Sequence, residues 1–180
     1  MKSHILGLSI AALFAAASLP ASAAPAIGTG KVNFNGMLIA ETCQVATDSQ
    51  DQTVQLPVVS TQSLGTKGDT AGSTAFEIDV IECPDTIDQV QAHFEMTNME
   101  AANRTLLNLA TASAATNVTV QLLNADGSVV PAGSTGKAFD VTGTGATRGA
   151  TMIYGGQYYS LGSPSAGAVQ TFAEFTLAYP

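Results

Sequence analysis

The sequence has no tryptophan, two cysteines and little charge: charged residues make up 11% of its 180 positions. Basic residues are scarcest, with 6 Lys and Arg against 14 Asp and Glu. Phosphate neutralisation needs clustered Lys and Arg, so this balance argues against nucleic acid as a partner. The few Cys and His residues offer no zinc-ligand spacing. Asp48, Asp51, Asp85 and Asp88 fall in expected loops without the spacing of an EF-hand. No Gly-x-Ser-x-Gly elbow occurs, and His93 is read as a surface residue beside Phe94. No catalytic residue, metal ligand or cofactor is therefore assigned. A second long apolar run is also missing, so no membrane span is expected beyond the first twenty residues.

That first run reads as a cleavable export signal. Lys2 supplies a short positive region, residues 5–19 are apolar, Pro20 breaks the run, and Ala21-Ser22-Ala23 is a small-residue cleavage site. Cleavage after Ala23 removes Lys2 and leaves a formal charge of −9 on a chain of single-domain length. Export implies an oxidising compartment, where an even pair of cysteines reads as a disulfide, here Cys43 with Cys83. Such a bond ties the first core strand to a later one.

Ala, Thr, Gly, Ser and Val dominate the remainder, a composition that favours β structure with many turns. Period-2 alternation predicts strands over residues 30–39, 42–45, 53–56, 74–83, 88–97, 117–123, 151–160 and 171–179, with a weak one at 137–141. Residues 65–73 read as a loop, and residues 95–108 as a loop or single turn. Asp126-Gly127 marks a hairpin turn before Val129 and Val130, and Gly155-Gly156 a bulge. Short alternating strands separated by turns predict an all-β sandwich.

Two stretches stand apart. Near the expected mature N-terminus, Val32, Phe34, Gly36 and Leu38 share one face while Lys31, Asn33 and Asn35 share the other. At the opposite end, Ala173, Phe175, Leu177 and Tyr179 share a face, so apolar alternation runs to the penultimate residue, where termini normally fray. Either segment suits pairing within its own sheet or across to another molecule.

Four motifs in order carry a resemblance. They are Gly30-x-Val32-x-Phe34-x-Gly36 ahead of Cys43; the pair Cys43 and Cys83; Ala115-Thr116-Asn117-Val118 leading through Val120-Gln121-Leu122-Leu123 to Asp126-Gly127; and the ending Phe175-Thr176-Leu177-Ala178-Tyr179, with Gly167 fourteenth from the end. Together they resemble the major pilins of chaperone–usher, type-1-like fimbriae. Pro180 departs from the usual polar final residue.

The resemblance implies an all-β, incomplete immunoglobulin-like sandwich, completed by a donor strand from a neighbouring subunit. It implies a signal peptide over residues 1–23, a donor-strand extension over 24–39 and a pilin domain over 40–180. The donor residues are Val32, Phe34, Gly36 and Leu38, with Gly36 at a constricted point of the groove. The groove and chaperone-binding strand carries Gly167, Ala173, Phe175, Leu177 and Tyr179. Implied partners are further copies of the chain in a head-to-tail polymer, a periplasmic chaperone, an outer-membrane usher, and other pilins or a tip adhesin. The implied role is the shaft of an extracellular adhesive fimbria on a bacterial surface, reached through the periplasm. A minor or adaptor pilin of the same system is one alternative. A monomeric secreted carbohydrate-binding β-sandwich is another: Tyr154, Tyr158 and Tyr159 suggest a sugar-binding platform, although core and groove packing is the expected use of at least Tyr154 and Tyr158.

Overall fold

The computed structural model describes Gly28 and residues 30–180. The expected signal peptide lies outside the described residues. Ile39–Pro180 forms one compact unit, built from eleven strands.

The long strands are those with the longest alternation. β1 (Gln44–Val45) pairs antiparallel with β2 (Thr70–Ile81). β2 places Ile78 and Val80 inward and Glu77 and Asp79 outward, and Phe76 packs against the same core. β3 (Gln89–Phe94) buries Val90, Ala92 and Phe94. β4 (Met99–Glu100) and β5 (Thr105–Leu107) form a short hairpin. β6 (Val118–Asn124) is buried on both faces, and β7 (Val129–Val130) returns along it after the Asp126-Gly127 turn. β8 (Ser134–Thr135) and β9 (Phe139–Asp140) both pair with β3. β10 (Ala150–Ser160) lies between β2 and β6, with its register shift between Gly156 and Tyr158. β11 (Phe175–Ala178) pairs with β3 alone among the strands.

Two sheets result. One runs β1-β2-β10-β6-β5-β4 with β7 on β6; the other runs β11-β3-β8 with β9 on β3. Their facing residues make one core, from Ile78, Val80, Leu122 and Met152 on the first sheet to Val90, Ala92 and Phe94 on the second. This is the expected sandwich, and the expected disulfide is present. Cys43 precedes β1 and Cys83 follows β2, with Cα atoms 4.1 Å apart, so the bond closes the end of that antiparallel pair.

Tyr154 sits at the centre. Its ring meets Phe94 edge-on at 5.1 Å and Phe139 at 5.6 Å. Its hydroxyl accepts from the Ala92 N–H and donates to the Lys137 carbonyl, both at 3.0 Å. Burial pushes the phenol up from its ordinary value. Gly136 leaves the space for this ring, since a Cβ there would lie 2.3 Å from a ring carbon. Tyr154→Phe leaves an N–H and a carbonyl unpaired in the core and is expected to cost about 1–3 kcal/mol, read as a lower urea midpoint with unchanged m-value.

Several expectations change. Residues 30–39 contain no strand, although they alternate, because a strand is defined by its ladder and this stretch has none. Residues 53–56 likewise form no strand. The predicted loop 65–73 is shortened by β2, which starts at Thr70, and a 3₁₀ turn occupies Thr61–Leu64. Residues 95–108 hold the β4–β5 hairpin, its turn fixed by the Glu100 carboxylate accepting from the N–H groups of Ala102 and Asn103. Those donors also hold the Glu100 carboxyl below its ordinary value. Met96, expected to continue the buried face of β3, is 60% exposed because the strand ends at Phe94. His93 is half-buried, its Nδ1 2.9 Å from Thr135 Oγ1.

Candidate functional site

The core opens on one side into a cleft of about 700 Å³. Its floor is apolar: Phe76 and Ile78 from β2, Phe94 from β3, Leu106 from β5, and Val120 and Leu122 from β6. These are inward positions of period-2 strands, so the floor is the buried core itself, with Phe76 partly exposed and Ile78, Phe94, Leu106, Val120 and Leu122 buried. Gly156 and Tyr158 of β10 also line it, and burial raises the Tyr158 phenol.

The two walls are strand-like segments; among the described residues the first has no backbone partner and the second is paired at alternate residues only. One is residues 52–56, in which Val54 and Leu56 are half-buried and Thr53 and Gln55 exposed. That is strand alternation without a strand. Among the described residues, no backbone–backbone hydrogen bond is made by residues 53–59. Pro57, which has no N–H to give a ladder, follows directly.

The other wall is residues 168–175, leading into β11. Its outer edge is tied down. Ala168 donates to Ser113 at 2.7 Å and accepts from Ala115 at 2.9 Å. Gln170 accepts from Leu109 at 2.7 Å, and Glu174 from Glu95 at 2.9 Å. Val169, Thr171 and Ala173 alternate with these, and their backbone groups have no backbone partner among the described residues. Two asparagines bracket the wall from behind. Asn98 Nδ2 donates to Thr171 Oγ1 at 2.9 Å and to the Phe172 carbonyl at 3.0 Å. Asn108 Nδ2 donates to the Ala168 carbonyl at 2.9 Å, and its Oδ1 accepts from Gln170 at 3.0 Å. The cleft is thus an apolar trough between two unsatisfied strand edges, the shape left when one strand is removed from a sheet.

The sequence-assigned residues fall around it unevenly. Ala173 and Phe175 line the cleft, and Leu177 and Tyr179 continue the same face onto the core. Tyr179 is anchored, its hydroxyl accepting from the Cys43 N–H at 3.0 Å and bonding Thr42 Oγ1. Gly167 lies where the wall begins. A Cβ there would sit 2.5 Å from both Ala115 N and Ser113 O, so only glycine permits the approach to residues 113–115. Val32, Phe34 and Leu38 belong to a different unit of the chain and are 73%, 92% and 99% exposed. Nothing lies within 4 Å of a Cβ built on Gly36. Sequence reasoning missed the floor and the first wall. Val54-x-Leu56 ahead of Pro57 is the signal for that wall; the floor has none, since a floor position reads like any other core position.

A sequence profile described as "Fimbrial protein" matches residues 32–180. The chain belongs to the fimbrial protein family. It is 38% identical to the F17 fimbrial protein of Escherichia coli, over 94% of this chain and 96% of that one. It is 33% identical to the major fimbrial subunit SMF-1 of Stenotrophomonas maltophilia, over 93% and 99%. Among solved structures it superposes on the P pilus rod subunit PapA with a TM-score of 0.59, covering 77% of this chain and 99% of that one at 17% identity, a likeness of fold. This fimbrial protein is a structural subunit of adhesive fimbriae, and its relatives place it in an extracellular fimbria. Its fold is the immunoglobulin-like pilin sandwich. Among the described residues, no helix is long and apolar enough to cross a membrane.

Proposed function

We propose that the subunit polymerises by strand exchange, its N-terminal segment filling the cleft of the next copy, to build the fimbrial shaft. The observation that carries this reading is the trough between residues 52–56 and 168–175, with apolar floor and unpaired edges. The same chain holds an exposed segment of matching period. Val32, Phe34 and Leu38 enter as alternate side chains, while Gly36 passes a point too narrow for one. Ala173, Phe175, Leu177 and Tyr179 form the receiving face. Because donor and acceptor are different surfaces, joining is head-to-tail and the assembly stays open.

The energetics suffice. Burial of each large donor side chain contributes about 1.5–3 kcal/mol, and each net ladder bond about 0.5–1.5 kcal/mol. Together a ten-residue strand supplies on the order of 10 kcal/mol, comparable to a whole domain. Before assembly the cleft needs another strand to cover it, which is the part of a periplasmic chaperone; an outer-membrane usher is where the exchange takes place. The subunit has a structural role and no catalytic one.

Deleting residues 24–37 from the mature protein is expected to abolish long polymers while leaving the folded domain. The readouts are electron microscopy of expressing cells and the ladder of boiling-resistant species in gels. Unchanged polymer from the deleted chain overturns the proposal.

A further inference from the structure

Asparagine followed by glycine is the peptide sequence most prone to spontaneous deamidation, because a residue without Cβ leaves its backbone nitrogen open to the preceding side chain. This sequence contains one such pair, Asn35-Gly36. It contains one Asp-Gly pair, Asp126-Gly127, prone to the same ring closure. The structure treats the two pairs oppositely.

Asp126-Gly127 is locked in the β6–β7 turn. The Gly127 N–H, the nucleophile, donates to the Asn124 carbonyl at 2.9 Å. The Asp126 carboxylate is bonded to Ser128 and Lys137, which hold it ionised and a poor electrophile. Asn35 and Gly36 are both exposed, in a stretch without regular secondary structure. Among the described residues no hydrogen bond engages either of them. Asn33, in the same stretch, is followed by Phe34, whose side chain shields the nitrogen that would attack.

We propose that Asn35 is a deamidation site that retires unassembled subunits, and that strand exchange protects it. The Gly36 backbone nitrogen attacks Asn35 Cγ. The bond from Cγ to Nδ2 breaks, and ammonia leaves carrying the displaced proton, which gives a five-membered succinimide. Water then opens the ring. Attack at Cγ restores a normal backbone with Asp at position 35. Attack at the main-chain carbonyl leaves an isoaspartyl link, in which the chain runs through Cβ and Cγ. The net change is one water consumed and one ammonia released.

The isoaspartyl product matters because it inserts a methylene into the backbone between Phe34 and Gly36. Resting on the reading of residues 32–38 as the donor, this breaks the period that lets Phe34 and Leu38 face one trough together. The Asp product only adds a charge on the solvent side of the strand. In the assembled joint, residues 32–38 lie between two ladders that occupy their N–H groups. The Gly36 nitrogen is then no longer free, just as Gly127's is not. A subunit kept waiting loses its donor; one that has assembled keeps it.

The test incubates the mature subunit, kept monomeric in complex with its chaperone, beside its polymer at mildly alkaline pH. Isoaspartate is mapped by enzymatic methylation and peptide mass spectrometry, and the aged monomer is then assayed for polymerisation. Isoaspartate should build up at residue 35 in the monomer, with parallel loss of polymerisation, and remain at its starting level in the polymer and at Asp126. Asn35→Gln, on the solvent side of the donor, should polymerise as the parent does and keep that capacity on ageing. No isoaspartate at residue 35 in the monomer, or equal build-up in the polymer, overturns the proposal. If monomers carrying isoaspartate at residue 35 polymerise as well as fresh ones, retirement is refuted; the donor reading stands if the chain without residues 24–37 still forms no polymer and falls if that chain polymerises too.

Discussion

Phe34→Asp is expected to eliminate polymerisation while leaving the folded domain and its capture by a chaperone intact. On the proposed register Phe34 is the largest side chain of the donor face, and the floor it would meet includes Ile78, Phe94, Leu106, Val120 and Leu122. Losing the aromatic forfeits about 1.5–3 kcal/mol. Burying a carboxylate without a partner costs several kcal/mol more or forces its protonation. Their sum approaches the whole gain of exchange, so the effect should be complete. Gly36→Arg should act as strongly by a different route, since it adds bulk where, on the proposed register, the donor passes a constricted point of the groove. Both are read from the heat-resistant ladder and from co-purification with the chaperone. Normal assembly by both variants means that the register is wrong.

Serine at both Cys43 and Cys83 should produce a large loss of stability in the compact unit. The bond closes a loop of 40 residues, for which chain entropy gives about 4 kcal/mol. That is a large part of the 5–15 kcal/mol of a typical domain. A domain with an open cleft has less to spare than most. β1 has two residues, its pairing with β2 is two residues long, and the disulfide secures its end. The measurement is the urea midpoint of the double serine variant against the oxidised parent, with the reduced parent expected to follow the variant. A shift of under about 1 kcal/mol, the size of an ordinary single substitution, contradicts this account.

How much of the molecule could be read in advance depends on whether a residue's role is local. β2, β3, β6 and β10 were legible because each alternates for six residues or more, and the Asp126-Gly127 hairpin because its turn residues are explicit. The β4–β5 hairpin was not, since two- and three-residue strands have no period to detect, and residues 95–108 read as a loop or single turn. Residues 30–39 and 53–56 were read as strands for the right reason and form none. Alternation reports which side chains want burial, whereas a ladder requires a neighbour. Those two failures mark the segments that the proposal pairs between molecules. Of the candidate site, the C-terminal face was visible as alternation running to Tyr179. The floor was not, because whether Val120 or Leu122 is covered is decided by strands far away in sequence. Asn98 and Asn108 show the same limit: nothing local distinguishes a wall bracket from a loop asparagine.

The Tyr179 hydroxyl, held by the Cys43 N–H, joins the last strand to the residue where the disulfide begins. In a shaft built by strand exchange, load arrives at one subunit through the strand seated along residues 168–179. It leaves through the chain just ahead of Cys43, toward the next subunit. Those two points are bridged by the Tyr179 hydroxyl, through the Cys43 N–H and Thr42 Oγ1, and backed by a covalent clamp onto β2. Pulling force therefore has a short path across each subunit along its rim, from the final strand to Cys43 and out. Stretching the fibre would load the joints between subunits in shear, with every ladder bond sharing the strain.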